Sequence, residues 1–192
     1  MQTDKEQKTG PTTPSGINHL VLNVRDIEAS HRFWVDVVGF KQVGELEQNS
    51  ERRKGVKMRF YSGERNGETH HHDLALVESA NVPEPPKEYA LFGGSCAVNH
   101  IAITFPDRDS WLQQLEHVRA MGVKFDSRVN HGMTHSLYVR DPNGYGVELL
   151  YDLPREVWGG DIDAALNYVE VLSTEGEEAL VDTEEVPVFN RA

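Results

Sequence analysis

The sequence predicts an α+β fold in which two tandem βαβββ modules form a half-barrel around a shared metal cavity. The first observation is a repeat: residues 17–26 (INHLVLNVRD) match residues 98–107 (VNHIAITFPD) at three of ten positions, Asn18/Asn99, His19/His100 and Asp26/Asp107. The second is that a helical pattern and then three short apolar stretches follow each copy. Because neither unit can cover its own apolar face, the two must pair.

In the first module, the repeat segment reads as a strand, and a helix is predicted to follow it. Asp26 suits the N-cap because its carboxylate can accept from the free N–H groups of the first turn, and Gly39 marks the end. Three further strands are predicted at residues 40–47, 56–61 and 72–78.

The second module repeats this order. Its helix is predicted to begin after Asp107 and to end at Gly122. Strands are predicted at residues 123–125, 136–140 and 146–151. A strong turn signal, Asp141-Pro142-Asn143-Gly144, separates the last two, because proline presets φ and Asn-Gly tolerates positive φ.

These assignments divide the chain into five parts. We predict a polar N-terminal arm (1–16), a first βαβββ module (17–80), a proline-containing linker (81–96), a second module (97–155) and an acidic C-terminal extension (156–192). A short helix is expected within residues 160–172, and little structure is expected beyond Ser173.

Charge and composition exclude several classes of protein. The 192 residues carry a formal net charge of −12, and the extension holds ten acids against the single base Arg191. This predicts no nucleic-acid partner and no membrane partner; the extension reads as a solubilising segment, with an interaction tail as the alternative. Cys96 is the only cysteine, which excludes internal disulfides and cysteine-based metal clusters. Without a long apolar run or a secretion signal, we expect a cytoplasmic protein.

The duplicated histidines are the strongest chemical signal. Strand alternation places His19 and His100 on the more polar face of their strands, which favours a cavity over a core. Glu148 lies inside an apolar strand, where an unpaired charge is costly, so a metal or a strong partner is implied; its alternative is an edge-strand carboxylate facing water. Glu78 is a rival or fourth ligand. Two imidazoles and one carboxylate suit Fe(II), with Mn(II) as the alternative.

These residues resemble the vicinal oxygen chelate (glyoxalase, bleomycin resistance and dioxygenase) superfamily, and within it the small two-module type I extradiol catechol 2,3-dioxygenases. The resemblance covers about residues 17–155. It rests on an opening segment, INHLVLNVRDIEASHRFWVDVVGF, and a closing segment, HSLYVRDPNGYGVELLYDLP. It implies the metal ligands His19, His100 and Glu148, the same set that the residues themselves predict.

The resemblance also implies the catalytic residues. The family's acid–base histidine is the second of a His-His pair followed by x-x-Ala, which nominates His72, although a register slip of one residue would promote His71. A family tyrosine ten residues before the glutamate ligand corresponds to Tyr138. A further family histidine is best matched by His131, since His135 adjoins the strand with the opposite parity.

The implied reaction is extradiol ring cleavage of a catechol-type aromatic diol with O2. His71, Tyr61 and Phe92 are the predicted substrate contacts, and edge strands make a homodimer the expected assembly. Two alternatives stay open, because the same scaffold carries other activities. One is a glyoxalase-type isomerase or lyase, which would need a fourth protein ligand, and the other is a small-molecule-binding resistance protein, which would lack the three ligands.

Overall fold

A computed structural model describes residues 17–47, 51, 53–88, 98–183 and 187–189. The predicted N-terminal arm (1–16) and the predicted substrate contact Phe92 lie outside these residues.

Among its described residues, the first repeat unit contains six strands and one helix. The helix α1, Ile27–Arg32, continues as a π-helical turn over Phe33–Val37. The strands are β1 Leu20–Val24, β2 Lys41–Glu45, β3 Met58–Ser62, β4 Glu64–Arg65, β5 Glu68–Thr69 and β6 Leu74–Glu78.

The second repeat unit and the segment after it contain the remaining elements. The strands are β7 His100–Thr104, β8 Ser127–Asn130, β9 Thr134–Arg140, β10 Gly146–Asp152 and β11 Glu170–Leu172. The helices are α2 Arg108–Ala120, α3 Arg155–Trp158 and α4 Ile162–Leu166, followed by a 3-10 turn at Glu177–Leu180.

Each unit forms its own open sheet, which confirms the predicted α+β class. The strand orders are β1-β6-β3-β2 and β11-β8-β9-β10-β7, with β4 and β5 as a separate hairpin. In both sheets the first strand of the unit lies at an edge and runs parallel to the last strand, β6 or β10, so the two sheets are built alike. His19 and His100 therefore stand at equivalent sheet edges.

The helices begin and end where the sequence predicts. The Asp26 carboxylate accepts from the N–H groups of Glu28 and Ala29, and Asp107 accepts from that of Ser110. Gly39 and Gly122 have φ of 94° and 72°, a left-handed conformation that stops a helix without the steric cost of a side chain.

One local prediction is wrong and one element is missing from the predictions. Residues 123–125 do not form a strand: the Val123 N–H still bonds to the Val118 carbonyl at the end of α2, and the ladder with β9 begins only at Ser127, opposite Tyr138. The hairpin β4–β5 was missed, although Asn66-Gly67, with φ of 55° and 80°, is a strong two-residue turn signal.

The C-terminal extension is more ordered than predicted. β11 pairs with the β8 edge, and the buried Arg128 guanidinium donates to the carbonyls of Ser173, Glu178 and Val181. The Asp182 side chain is fully buried. The acidic charge of this segment predicts a solvated chain, but buried polar partners from the second sheet bind its backbone and two of its carboxylates, Glu170 and Asp182.

The Asp182 carboxylate lies on the face of the second sheet opposite to Glu148. It accepts from Nδ1 of His135 at 2.7 Å, the Tyr151 hydroxyl at 2.6 Å and Nε of Arg108 at 2.8 Å. Burial alone would raise the pKa of Asp182, but the hydrogen bonds from His135 and Tyr151 outweigh it and lower the pKa to about 2.

The two units contact one another through their helices and through the Asp141–Gly144 turn. Gln114 and His117 on α2 bond to backbone carbonyls at Val37 and Asp36. The Asn143 side chain accepts from the Arg25 N–H at 2.8 Å and donates to Oγ of Ser30 at 2.9 Å. These contacts set the position of β1 relative to β7. No helix among the described residues is both long and apolar enough to cross a bilayer.

Candidate functional site

The two duplicated histidines are oriented by the asparagine that precedes each of them. Nδ1 of His19 lies 2.7 Å from Oδ1 of Asn18, and Nδ1 of His100 lies 2.6 Å from Oδ1 of Asn99. An amide oxygen only accepts hydrogen bonds, so Nδ1 carries the hydrogen in both rings. In the neutral imidazole this leaves a lone pair on Nε2, the form in which histidine binds a metal.

His100 turns this Nε2 toward a buried carboxylate. The distance from Nε2 of His100 to Oε2 of Glu148 is 3.2 Å, and the Glu148 side chain is only 7% exposed. Two acceptors that face each other at this distance need a cation between them, either a proton or a metal ion. The pair therefore has the donor chemistry of a divalent metal site.

Tyr138 and His131 adjoin this pair. Tyr138 is opposite Glu148 in the β9–β10 ladder, and its ring meets the His100 ring edge-on at 5.5 Å. Its hydroxyl lies 3.0 Å from Nε2 of His131. Burial lowers the pKa of His131, an effect that the Glu148 charge opposes. Together the four side chains form one continuous polar group on the second sheet.

His135 points away from this group, as strand parity predicts. It lies on the other face of β9, where it binds Asp182.

The first unit contributes a second group of imidazoles. The His72 ring is 4.3 Å from the His19 ring and 5.1 Å from the Phe60 ring. His71 is more exposed, and its ring is 6.4 Å from that of His19. Burial lowers the pKa of His72, and the neighbouring His19 and His71 lower it further. Both residues precede β6, which begins at Leu74 rather than at 72, so strand parity does not apply to them.

His19 and His100 line one cavity of about 560 Å³ between the two sheets, a volume typical of small-molecule sites. Its apolar wall includes Leu20, Trp34 and Phe40, and its polar rim includes Arg65 and Asp73. In the part of the chain that the structure describes, no three His, Cys, Asp or Glu side chains lie close enough to form one metal centre. The structure thus brings His100 and Glu148 together and leaves His19 outside that pair, so the three-ligand set stays a prediction.

Two predicted positions require correction. Tyr61 does not line the cavity: it is fully buried in the core, with its hydroxyl 3.1 Å from Nδ1 of His31, because alternation on β3 turns it away from the face of Phe60. Burial raises the pKa of Tyr61 to about 12. Glu78 lies at the far end of β6, where it binds Nζ of Lys57 at 2.6 Å and the Ile27 N–H at 3.1 Å, so it has a structural role.

The internal repeat shows where the two halves of the site differ. Val21 pairs with Ala75 in the first sheet, and its repeat equivalent Ala102 pairs with Glu148 in the second. The ladder partners of Ala75 and Glu148 are Phe60 and Tyr138. The first unit thus has alanine and phenylalanine where the second has the carboxylate and the phenol.

The same residues fall within a recognised family pattern. A family model described as the glyoxalase/bleomycin resistance protein/dioxygenase superfamily matches residues 16–149. The chain belongs to this superfamily. Relatives in the superfamily differ in activity, so membership gives the fold and not the reaction.

Three comparisons illustrate that range. The chain is 26% identical over 170 residues to a catechol-2,3-dioxygenase of Bacillus subtilis (strain 168), covering 86% of this chain and 51% of that protein, so it spans about half of that relative's length. It is 27% identical over 166 residues to a lactoylglutathione lyase of Pseudomonas putida, covering 71% of this chain and 85% of the lyase. The crystal structure of a glyoxylase/bleomycin resistance protein/dioxygenase domain from Frankia sp. EAN1pec superimposes with a TM-score of 0.54 at 16% identity, covering 73% of this chain and 100% of that one.

Sequence reasoning overlooked the asparagines. Asn18 and Asn99 are identical in the repeat, and that identity was a usable signal, because a hydrogen-bond acceptor next to each ligand candidate fixes its tautomer.

Proposed function

We propose that the chain is a non-haem Fe(II)-dependent extradiol dioxygenase that cleaves a catechol-type aromatic diol with O2. The observation that carries the proposal is the group on the second sheet, in which the His100–Glu148 pair lies beside the hydrogen-bonded Tyr138 and His131. A metal-ligand pair alone would suit any metalloenzyme of the superfamily. A phenol and an imidazole next to it suit a substrate whose oxygens exchange protons.

His100 and Glu148 would hold the metal with His19 as the third ligand, and the Asn18 and Asn99 side chains keep both imidazoles in the ligating tautomer. When bound, Fe(II) would acidify the catechol hydroxyls and bring substrate and O2 together, and Mn(II) accepts the same donors.

The chain's own residues would manage the protons. In this proposal, the His72 imidazole beside His19 accepts a proton from one substrate hydroxyl and later returns it to an oxygen of the product. The Tyr138 hydroxyl and His131 bind the substrate oxygens on the other side. His71, at the exposed rim, is a substrate contact only.

A glyoxalase-type lyase is the second candidate, because a lactoylglutathione lyase is among the relatives. Such an enzyme is expected to use a fourth protein ligand. In the first unit, the position equivalent to Glu148 is Ala75, whose side chain cannot bind a metal. The Glu78 carboxylate already binds Lys57 and the first N–H of α1. Both observations favour the dioxygenase.

The test is anaerobic reconstitution with Fe(II), followed by O2 and a panel of catechols. We expect oxygen uptake together with the absorbance of a yellow ring-cleavage product. Both should be lost in His100→Ala and kept in His70→Ala, since His70 is an exposed histidine that directly follows the β4–β5 hairpin. Stoichiometric metal binding without oxygen uptake by any catechol would contradict the proposal and direct attention to the lyase.

Removing the asparagine behind a ligand should weaken metal binding. In Asn99→Ala the His100 ring loses the acceptor for Nδ1, so we expect the affinity for Fe(II) or Mn(II) to fall about 10- to 100-fold. Anaerobic calorimetric titration measures this. Asn99→Asp restores an acceptor and should recover most of the affinity, and Asn81→Ala is the surface control. Unchanged affinity in Asn99→Ala would show that the Asn99 side chain does not hold His100 in the ligating tautomer.

A further inference from the structure

The C-terminal extension contacts the loop that carries His131. The family match ends at residue 149, so this segment lies outside the shared pattern. Gly132, next to His131, has a φ of +74°. A methyl group added at Gly132 would lie 2.6 Å from Cε2 of Phe189 and 3.2 Å from Cδ1 of Tyr168. The two aromatic rings, 5.5 Å apart, therefore pack directly on the glycine backbone.

The extension also holds the other neighbour of His131. Nδ2 of Asn130 donates to Oε2 of Glu170 at 3.0 Å, and Oδ1 of Asn130 accepts from the Gly132 N–H at 2.8 Å. The pairing of Glu170 with Asn130 continues the β8–β11 ladder. Phe189 is itself held by a 2.7 Å bond from its N–H to the Val157 carbonyl.

His131 is thus held between two anchored residues. The His131 N–H bonds to the Thr134 carbonyl, and its Nε2 meets the Tyr138 hydroxyl at 3.0 Å. A 3.0 Å contact tolerates little movement, because hydrogen bonds weaken steeply as distance and angle change. If the rings of Phe189 and Tyr168 leave Gly132, a positive-φ loop loses the surface that it packs on.

We propose that the C-terminal extension supports the active site from outside, in that Phe189 and Glu170 position His131 against Tyr138. This rests on the role given to His131 in the proposed function. Phe189 and Glu170 touch no reacting atom; they act through the loop 130–132. The extension therefore contributes to catalysis although none of its described residues lines the cavity between the sheets.

The first test measures the loop without any activity. Carbethoxylation of His131 by diethyl pyrocarbonate, followed by peptide mass spectrometry, reports its accessibility in the full-length protein. We expect the rate at His131 to rise several-fold in Phe189→Ala and to stay near wild type in Phe189→Leu, which keeps the bulk. Val188→Ala, at an exposed neighbour, should leave it unchanged. Glu170→Ala should loosen the same loop from its other side. If Phe189→Ala does not fold, Glu170→Ala replaces it in this measurement.

The second test uses ring cleavage by the reconstituted enzyme. Phe189→Ala should lower kcat by about 10- to 100-fold with little change in metal affinity, because a small misplacement of a catalytic group is costly. In a His131→Ala background, Phe189→Ala should not lower kcat further, because Phe189 acts through His131. An unchanged modification rate, or additive losses in the cycle, would overturn the proposal. If wild type cleaves no catechol, the proposed function fails, and the modification rate still decides the positioning role.

Discussion

Glu148→Gln should stabilise the metal-free protein and at the same time strongly weaken the proposed metal binding. In the absence of a metal, a buried carboxylate faces the Nε2 acceptor of His100 at 3.2 Å, and this contact needs a proton to become favourable. Glutamine has the same shape and offers an N–H to that Nε2. We expect the free energy of unfolding to rise by about 1 kcal/mol, and the metal affinity to fall by at least about 100-fold.

Urea unfolding of the metal-free protein and anaerobic metal titration measure the two effects separately. Glu78→Gln is the matched control, because Glu78 is a carboxylate of the other unit that binds Lys57 and caps α1. It should leave the metal affinity unchanged. A destabilised Glu148→Gln protein that still binds metal would identify Glu148 as a structural residue and remove the central element of the proposed site.

Replacing Asp182, the buried carboxylate on the opposite face of the same sheet, should lower the stability of the protein. Asp182→Ala removes the common partner of His135, Tyr151 and Arg108. Breaking a buried pair by removing one member costs about 3 kcal/mol, and for a chain of this size that is a fall in Tm of roughly 6–12 °C. Metal affinity should not change. Glu175→Ala, at an exposed acid of the same segment, should change neither quantity.

The effect of Asp182 also depends on pH. Its pKa is lowered from 3.8 to about 2 in the folded state, so its charge stabilises the fold above pH 4 by about 2 kcal/mol. That contribution is lost as the pH falls from about 4 toward 2. The difference in stability between wild type and Asp182→Ala, measured by urea unfolding, should therefore shrink over this range. A constant difference would show that the Asp182 carboxylate is not the source of the stabilisation.

Local chemistry explains which parts of the fold could be predicted. Asp26 and Asp107 act within three residues of their own position, so the sequence contains everything that defines the two helix starts. His19 and His100 could likewise be found from the sequence alone, because the repeat places a histidine at the same position in both copies. The β8 strand could not be placed, because its start depends on where β9 begins to pair with it and not on its own pattern.

The extension shows the limit of such reasoning more clearly. Asp182 binds His135, which is 47 residues away, and Arg128 binds Val181, which is 53 residues away. No periodicity connects residues at such separations. A segment rich in acidic residues, considered by itself, predicts exposure to solvent. For the candidate site, the sequence predicted Glu148 from its unusual place in an apolar strand, but it misplaced Tyr61 because one residue of register decides which face it occupies.

The first unit has Ala75 at the position where the second has Glu148, and this difference has a consequence for how proteins with a duplicated unit diversify. A chain that contains the same unit twice has two equivalent positions for a carboxylate, and here only the second of them carries one. A single substitution at the position of Ala75 would change the number of side chains that can bind a metal ion, and it would not change the order of the strands. New chemistry in such a lineage thus needs no new architecture, since the duplication supplied a spare position in advance.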